Sequence, residues 1–337
     1  MPVAAAKKSR VWTDIDFARD GKQVSALAVP HSRNESAWGS IRLPLTVIKN
    51  GDGPTVLFTG ANHGDEYEGP VALSKLARAL DPAEVRGRVI VMPALNLPAL
   101  RAGTRVSPID GRNMNRVFPG AREGTVTEVI AHYVQTELLP LADVVVDLHS
   151  GGRSLVLVPC AVMHRLADRA LMERTLAALR AFGAPVGLVI EELDSEGMLD
   201  SAVENMGKIF LSTELGGGAT LTPESMRIAD AGVRNVLRHF GVLDGAPTGD
   251  DTRLMEVPDA GCYLIAKANG IYEPTVGLGE AVAPGQVVGR LHFIEEPDRD
   301  PIEIRCARAG TLIGRRVQGH SEIGDCLGVL ATDLADA

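Results

Sequence analysis

Residues 55–70 read TVLFTGANHGDEYEGP, and the reading of this stretch decides the fold. Residues 55–60 form a short apolar run of strand length, the pattern of a strand buried on both faces. Glycine closes that run, a second glycine follows His63, and residues 69–80 carry apolar side chains at helical spacing. Strand, glycine turn and helix form the opening of a β-α-β unit. The rhythm then repeats. Strands are expected at 87–93 (GRVIVMP), 143–148 (DVVVDL), 187–190 and 208–213, with helices at 125–139, 164–182 and 223–240. Thr125 with Glu128 makes a capping-box pattern, and Thr222 and Gly241 bracket the last helix. Strands alternating with helices predict an α/β domain over residues 51–245, its mainly parallel sheet covered on both faces.

Two further regions flank this domain. Residues 24–29 and 41–48 alternate apolar with other residues, as half-buried strands do, so residues 1–50 are expected to be a β-rich lead-in. Between 243 and 253 the composition turns to Gly, Pro, Asp and Thr, the mark of a linker. Residues 253–337 carry no helical period. Short apolar strands alternate there with turn signals, which predicts a small all-β domain. Two of its phrases, GEAVAPGQVVGRLH and HSEIGDCLGVLA, match loosely, and the pattern resembles a lipoyl- or biotinyl-type barrel-sandwich domain. The turn comparable to the one that carries a modified lysine in those domains reads EEPDRDP, so a structural module is expected.

Composition narrows the function. At ~150 residues per domain, 337 residues predict two domains, or one large one with an appendage. Hydrophobic residues at 45% and charged residues at 23% describe a globular chain. A formal net charge of -9 with only 4% aromatics argues against nucleic acid and anionic membranes as partners. No run approaches the ~18 apolar residues of a membrane span. Lys7, Lys8 and Arg10 precede no apolar run, so no secretory signal is expected. Cys160, Cys262, Cys306 and Cys326 are scattered and form no C-x-x-C pair, which predicts reduced thiols and a cytoplasmic protein.

Three windows carry chemistry. In GANHGDEYEGP, His63 and Glu66 stand three apart on a glycine-flanked turn at a strand's carboxyl end, where open α/β sheets place ligands. An imidazole and a carboxylate are two of the three ligands of a two-histidine, one-glutamate catalytic zinc. DVVVDLHSGG supplies a third in His149, and Asp147, on the same strand face, is either its hydrogen-bond acceptor or a capping carboxylate. The loop 104–120 holds Arg105, Arg112 and Arg116 with Asn113 and Asn115, groups suited to carboxylate recognition and oxyanion stabilisation, or simply to a solvated surface. In FLSTELGGG, Glu214 closes a strand ahead of three glycines and suits a general base beside a metal. His164 and the other histidines are assigned no chemistry.

With these residues in view, the chain resembles the succinylglutamate desuccinylase and aspartoacylase family, relatives of the zinc carboxypeptidases. The resemblance runs from about Pro54 to Gly241 on H-x-x-E, a strand-end D-L-H, N-R and E-x-G. It implies a zinc-carboxypeptidase-like three-layer α/β sandwich with the β module as the family's C-terminal domain. It also implies one Zn2+ per chain on His63, Glu66 and His149, with Glu214 as general base. Asn115 and Arg116 would hold the substrate α-carboxylate, and Arg105 would stabilise the oxyanion. The implied partner is a small-molecule N-acyl amino acid, in a chain that forms a homo-oligomer as this family commonly does. The arginine that holds an acidic side chain in aspartoacylase has no counterpart between residues 187 and 213. That segment instead carries Glu191, Glu192, Asp194, Glu196, Asp200 and Glu204, which favours a cationic substrate side chain. The phrases SAWGSIRLPLTVIKNGDGPT, SPIDGRNMNRVFPG and STELGGG resemble the branch that deacetylates N-α-acetyl-L-2,4-diaminobutyrate in ectoine breakdown. Alternatives are a deacylase for N-acetylaspartate or N-succinylglutamate, a carboxypeptidase, or a non-catalytic protein that binds an amino-acid derivative.

Overall fold

The computed structural model describes residues 9–191, 196–249 and 251–334. Lys7, Lys8, Glu192 and Asp194 of the sequence argument lie outside the described residues. The chain begins with a hairpin of β1 (Gly21–Pro30) and β2 (Ser40–Asn50), antiparallel along its whole length. There follow β3 (Thr55–Gly60), α1 (Glu68–Ala79), β4 (Gly87–Met92), α2 (Leu97–Ala102), α3 (Val126–Tyr133) and β5 (Val144–His149). Next come β6 (Leu155–Leu157), β7 (Cys160–His164), α4 (Arg169–Phe182), β8 (Val186–Ile190), α5 (Leu199–Glu204), β9 (Ile209–Glu214) and α6 (Pro223–His239).

These strands lie side by side in the order β1-β2-β4-β3-β5-β9-β7-β8, continued by β10 (Arg253–Val257). The sheet is mixed. β4, β3, β5 and β9 run parallel, β7 enters antiparallel to β9, and β7, β8 and β10 again run parallel. β3 and β5 are buried at every residue, as strands covered on both faces must be. Side chains alternate between the faces with a period of two. Val56, Phe58, Val144, Val146 and Leu148 pack with Leu73 and Leu76 of α1 and Val233 and Val236 of α6. Leu57, Val145 and Phe210 pack on the other face with Ile130 of α3 and Leu199 and Val203 of α5.

The C-terminal strands are β11 (Tyr263–Ile265), β12 (Gly270–Pro274), β13 (Ala281–Val282), β14 (Val287–His292), β15 (Ile302–Arg305), β16 (Gly310–Arg316), β17 (His320–Ser321) and β18 (Cys326–Asp333). They pack as two layers around Tyr272, Leu291, Ile304, Leu312 and Leu330. One layer is continuous with the central sheet, because β18 pairs with β10, and β16 pairs with β6. Among the described residues, no helix is long and apolar enough to cross a membrane.

Two helix expectations change. The helix expected over 164–182 begins at Arg169, where the Asp168 carboxylate accepts the Leu171 N–H at 3.0 Å. Residues 160–164 are extended because they pair on both sides, with β9 and with β8. The helix expected over 125–139 is regular only to Tyr133, then widens over Val134–Leu138 and ends in a tight turn at Leu139–Leu141. Its start is as expected, with the Thr125 N–H donating to the Glu128 carboxylate at 2.7 Å.

The turn after β3 depends on the smallest side chain. A Cβ on Gly64 would lie 1.9 Å from the Ala99 carbonyl carbon, in α2. Because the obstacle is backbone, Gly64→Ala is expected to cost at least about 3 kcal/mol, the upper part of the range for overpacking. Urea unfolding at fixed metal concentration measures it.

Candidate metal centre

The two-residue period of the sheet builds the site. On the face that holds Leu57, Val145 and Phe210, the carboxyl ends of the strands carry polar residues instead of apolar ones. Thr59 pairs in register with Asp147, Asp147 with Ser212, and His149 with Glu214. All five side chains therefore point into one layer. β7, reversed against β9, pairs Val162 with Ser212 and Cys160 with Glu214, so Val162 and His164 extend the same floor. The Glu214 to Phe210 edge of this floor is about 13 Å long at ~3.3 Å per residue.

At one end of the floor His63 and Glu66 come down from the turn after β3 to meet His149. His63 Nδ1 lies 2.7 Å from Glu66 Oε1, and His149 Nδ1 lies 2.9 Å from Glu66 Oε2. The two rings stand 5.0 Å apart between centroids. One donor atom from each of the three residues can be chosen such that all lie within 4.8 Å of one another, and all three side chains are buried. The opposite edge of the His149 ring is held by Asp147, whose Oδ2 is 2.7 Å from Nε2. Asp147 also accepts from Thr59 Oγ1 at 2.7 Å and Asn62 Nδ2 at 2.8 Å. With Nε2–H donated to Asp147, His149 turns the lone pair of Nδ1 toward the centre, the tautomer a metal ligand needs. The capping alternative for Asp147 is thereby replaced by a role in orienting His149. Removing the negative charge of this acceptor in Asp147→Asn is expected to weaken metal binding 10- to 100-fold, read by competition with a chromophoric chelator.

Charge in the centre fits a cation. Burial works against the charged form of Glu66, but the His63 and His149 charges outweigh it and hold the carboxyl well below its usual range. Burial also opposes the His149 cation, yet Asp147 and Glu66 raise its pKa well above the ordinary value. With Nε2–H on Asp147, the further proton of the His149 cation lies on Nδ1 beside Glu66, on the ring edge that faces the centre. His63, by contrast, is lowered by burial. Two neutral imidazole nitrogens and one carboxylate form the N/O donor set of catalytic zinc sites.

The remaining expected residues surround the same point. Glu214 is partly buried, and its pKa is pushed up to about 8, by burial first and then by the negative charge of Glu66. Its Oε2 takes no hydrogen bond among the described residues. Arg105 is half exposed and sets Nη1 3.6 Å from Glu66 Oε1 and 3.4 Å from His63 Nδ1. Asn115 sits in a tight turn, Met114–Arg116, where its N–H donates to Asn113 Oδ1 at 2.9 Å. Asn115 Oδ1 accepts from Asn62 Nδ2 at 3.2 Å and from the Leu199 N–H at 3.0 Å. Its Nδ2 is left as the group offered to the cavity. The loop that carries these residues is pinned to α3 through Asp110, which accepts from both the N–H and the hydroxyl of Thr127 at 2.8 Å.

Between floor and loop lies a cavity of about 190 Å³, lined by His63, Arg105, Asn115, Arg116, His149 and Glu214 at the expected positions. A second cavity, about 310 Å³, shares His63, Arg105 and Glu214 with the first and takes Tyr263, Ile313 and Val329 from the C-terminal strands. Sequence reasoning missed two contributors. Asn62 joins the loop to Asp147, and no pattern distinguishes it from an ordinary turn residue. His164 lines the cavity with Asp200 from the end of β7, where the sequence pattern predicts the start of a helix.

A donor triad, a neighbouring carboxylate and a small polar cavity at the strand ends of an α/β sheet are the apparatus of a hydrolytic enzyme. The Succinylglutamate desuccinylase/Aspartoacylase catalytic domain matches residues 52–240, and the chain belongs to that family. It is 46% identical over 327 residues to the N-alpha-acetyl-L-2,4-diaminobutyric acid deacetylase of Halomonas elongata, covering 96% of each chain. Among solved structures it is similar to the product-bound ectoine utilization protein EutE (DoeB) of Ruegeria pomeroyi. That match has 48% identity and a TM-score of 0.95, and covers 97% of this chain and 99% of the other. A succinylglutamate desuccinylase from Silicibacter sp. matches with 47% identity and a TM-score of 0.94, over 97% of this chain and 100% of the other.

Proposed function

We propose that this chain is a cytoplasmic zinc-dependent deacetylase that converts N-α-acetyl-L-2,4-diaminobutyrate and water to L-2,4-diaminobutyrate and acetate, a step of ectoine breakdown. The observation that carries the reading is the in-register pair of His149 and Glu214, which sets a partly buried carboxylate of raised pKa beside the donor triad. Full-length similarity to a deacetylase of that substrate supports the choice of amide.

His63, Glu66 and His149 would hold one Zn2+, which when bound supplies a Lewis acid for the acetyl carbonyl and lowers the pKa of water. Asn115 Nδ2 and the Arg116 guanidinium hold the α-carboxylate, which orients the amide. Arg105 sits where charge grows on the carbonyl oxygen and stabilises it. Glu214 takes a proton from the attacking water at a carboxylate oxygen. It returns that proton to the α-nitrogen as the C–N bond breaks. Tyr263, Ile313 and Val329 narrow the approach, so small amides enter and polypeptides do not.

The test is amine release from N-α-acetyl-L-2,4-diaminobutyrate by zinc-loaded protein, with N-acetyl-L-aspartate and N-succinyl-L-glutamate alongside. Preference for the first is the expected result. Turnover confined to an acidic substrate would overturn the substrate and leave amide hydrolysis standing.

A further inference from the structure

The cavity has a second polar end that the hydrolytic chemistry does not use. Away from the donor triad its wall is apolar at Val162, Met163, Ile190, Met198 and Phe210, and polar at Ser212 and His164 of the floor and at Asp200 of α5. Asp200 stands in the first turn of α5, the short helix whose Leu199 N–H fixes Asn115. Its side chain is about as buried as that of His164, each 10% exposed. His164 Nε2 lies 3.7 Å from Asp200 Oδ2, while His164 Nδ1 lies 3.0 Å from Glu204 Oε2. One imidazole between two carboxylates leaves a net negative charge whether or not the imidazole is protonated. Apart from Glu214, Asp200 is the one carboxylate among the described residues that line this cavity.

Resting on the deacetylase reading, we infer that Asp200, braced by the His164–Glu204 pair, binds the side-chain ammonium of the substrate and selects amino acids with a short cationic side chain. A substrate whose α-carboxylate meets Asn115 and Arg116, and whose acetyl group meets the triad and Glu214, has its side chain left to the rest of the cavity. A carboxylate there attracts an ammonium and repels the side chain of aspartate or glutamate, so one residue supplies both selection and rejection. The surrounding apolar wall lowers the local dielectric and strengthens that charge pairing. His164 and Glu204 are positioning residues, acting through Asp200.

The experiment compares N-α-acetyl-L-2,4-diaminobutyrate with N-α-acetyl-L-norvaline, its neutral isostere, on the zinc-loaded full chain. Wild type is expected to favour the cationic substrate in kcat/KM by at least about 30-fold, the lower end of the effect of unpairing a buried charge. In Asp200→Asn that ratio is expected to collapse toward one, with the change concentrated in KM. Calorimetry of L-2,4-diaminobutyrate against L-norvaline is expected to show the same loss of preference without any turnover. Wild type that hydrolyses both amides with equal efficiency overturns the inference alone, and needs no variant to fold. Wild type that hydrolyses no N-acetyl amino acid overturns the deacetylase reading and the inference with it. A preference that survives intact in Asp200→Asn assigns the ammonium to another group and also overturns the inference.

Discussion

Glu214→Gln is expected to lower kcat by about 10²–10⁴-fold while zinc remains bound at one ion per chain. Gln keeps the shape of the side chain and removes the only property the proposed base requires, a carboxylate that can take and return a proton. The donor triad is untouched, so metal analysis separates a lost base from a lost metal. Near-normal turnover in the variant would defeat the assignment. The same substitution carries an opposite expectation for stability. In the metal-free protein the folded pKa of Glu214, about 8, lies above its ordinary 4.5. Stability contributed by a raised carboxyl is fully present below the unfolded pKa and is lost as pH rises through the folded one. Metal-free wild type therefore loses stability across pH 4.5 to about 8, and the neutral Gln does not. Above pH 8 metal-free Glu214→Gln is expected to be the more stable protein by an amount on the order of a few kcal/mol. Urea midpoints measured at pH 5 and pH 8 in the presence of chelator check the sign. A partly buried carboxylate with one oxygen that takes no hydrogen bond among the described residues is a group kept at a cost to stability, and this pair of measurements would read that cost beside the activity it supports.

Removing the metal is the second large effect. Chelation is expected to abolish turnover and to lower Tm by roughly 5–10 °C, with both restored by one equivalent of Zn2+. The size follows from linkage: a ligand at a thousand times its Kd stabilises the folded state by ~4 kcal/mol, worth a few degrees per kcal/mol in a chain of this size class. The direction follows from the charges, since Glu66 is buried between two histidines and beside a second glutamate. His149→Ala should reproduce the low Tm of the chelated protein and make it insensitive to zinc. A Tm unmoved by chelator, in protein shown by elemental analysis to have carried zinc, would remove the metal from this centre.

Most of the centre was legible because its signals are local. His63 and Glu66 share one turn, and glycine punctuation marks that turn as tight. His149 and Glu214 each close an apolar strand, so their place at a sheet edge follows from their own neighbours in sequence. Asn115 and Arg116 were visible as residue types and as a family pattern, and the structure sets them on the cavity wall. His164 was not legible. Its segment, CAVMH, is a short apolar run, and periodicity alone does not separate such a run from the start of a helix. Asp200 was seen only as one of several acidic residues, indistinguishable from a solvated face. Asp147 was legible as a residue with two readings, and a 2.7 Å contact to the His149 ring decided between them.

By itself the sequence determined the alternation of strands and helices, the all-β C-terminal part and the chemical identity of the triad and its neighbouring carboxylate. These follow from side-chain size, backbone freedom and periodicity within windows of ten to twenty residues. Tertiary structure alone decided that β9 lies beside β5 with Glu214 opposite His149 and that β7 enters reversed to put His164 on the cavity floor. It also decided that α5 carries Asp200 over that floor. Strand order, direction and register are settled by pairing between segments up to sixty or more residues apart, where the buried area and hydrogen bonds of the whole sheet choose the partner. No local window contains that choice.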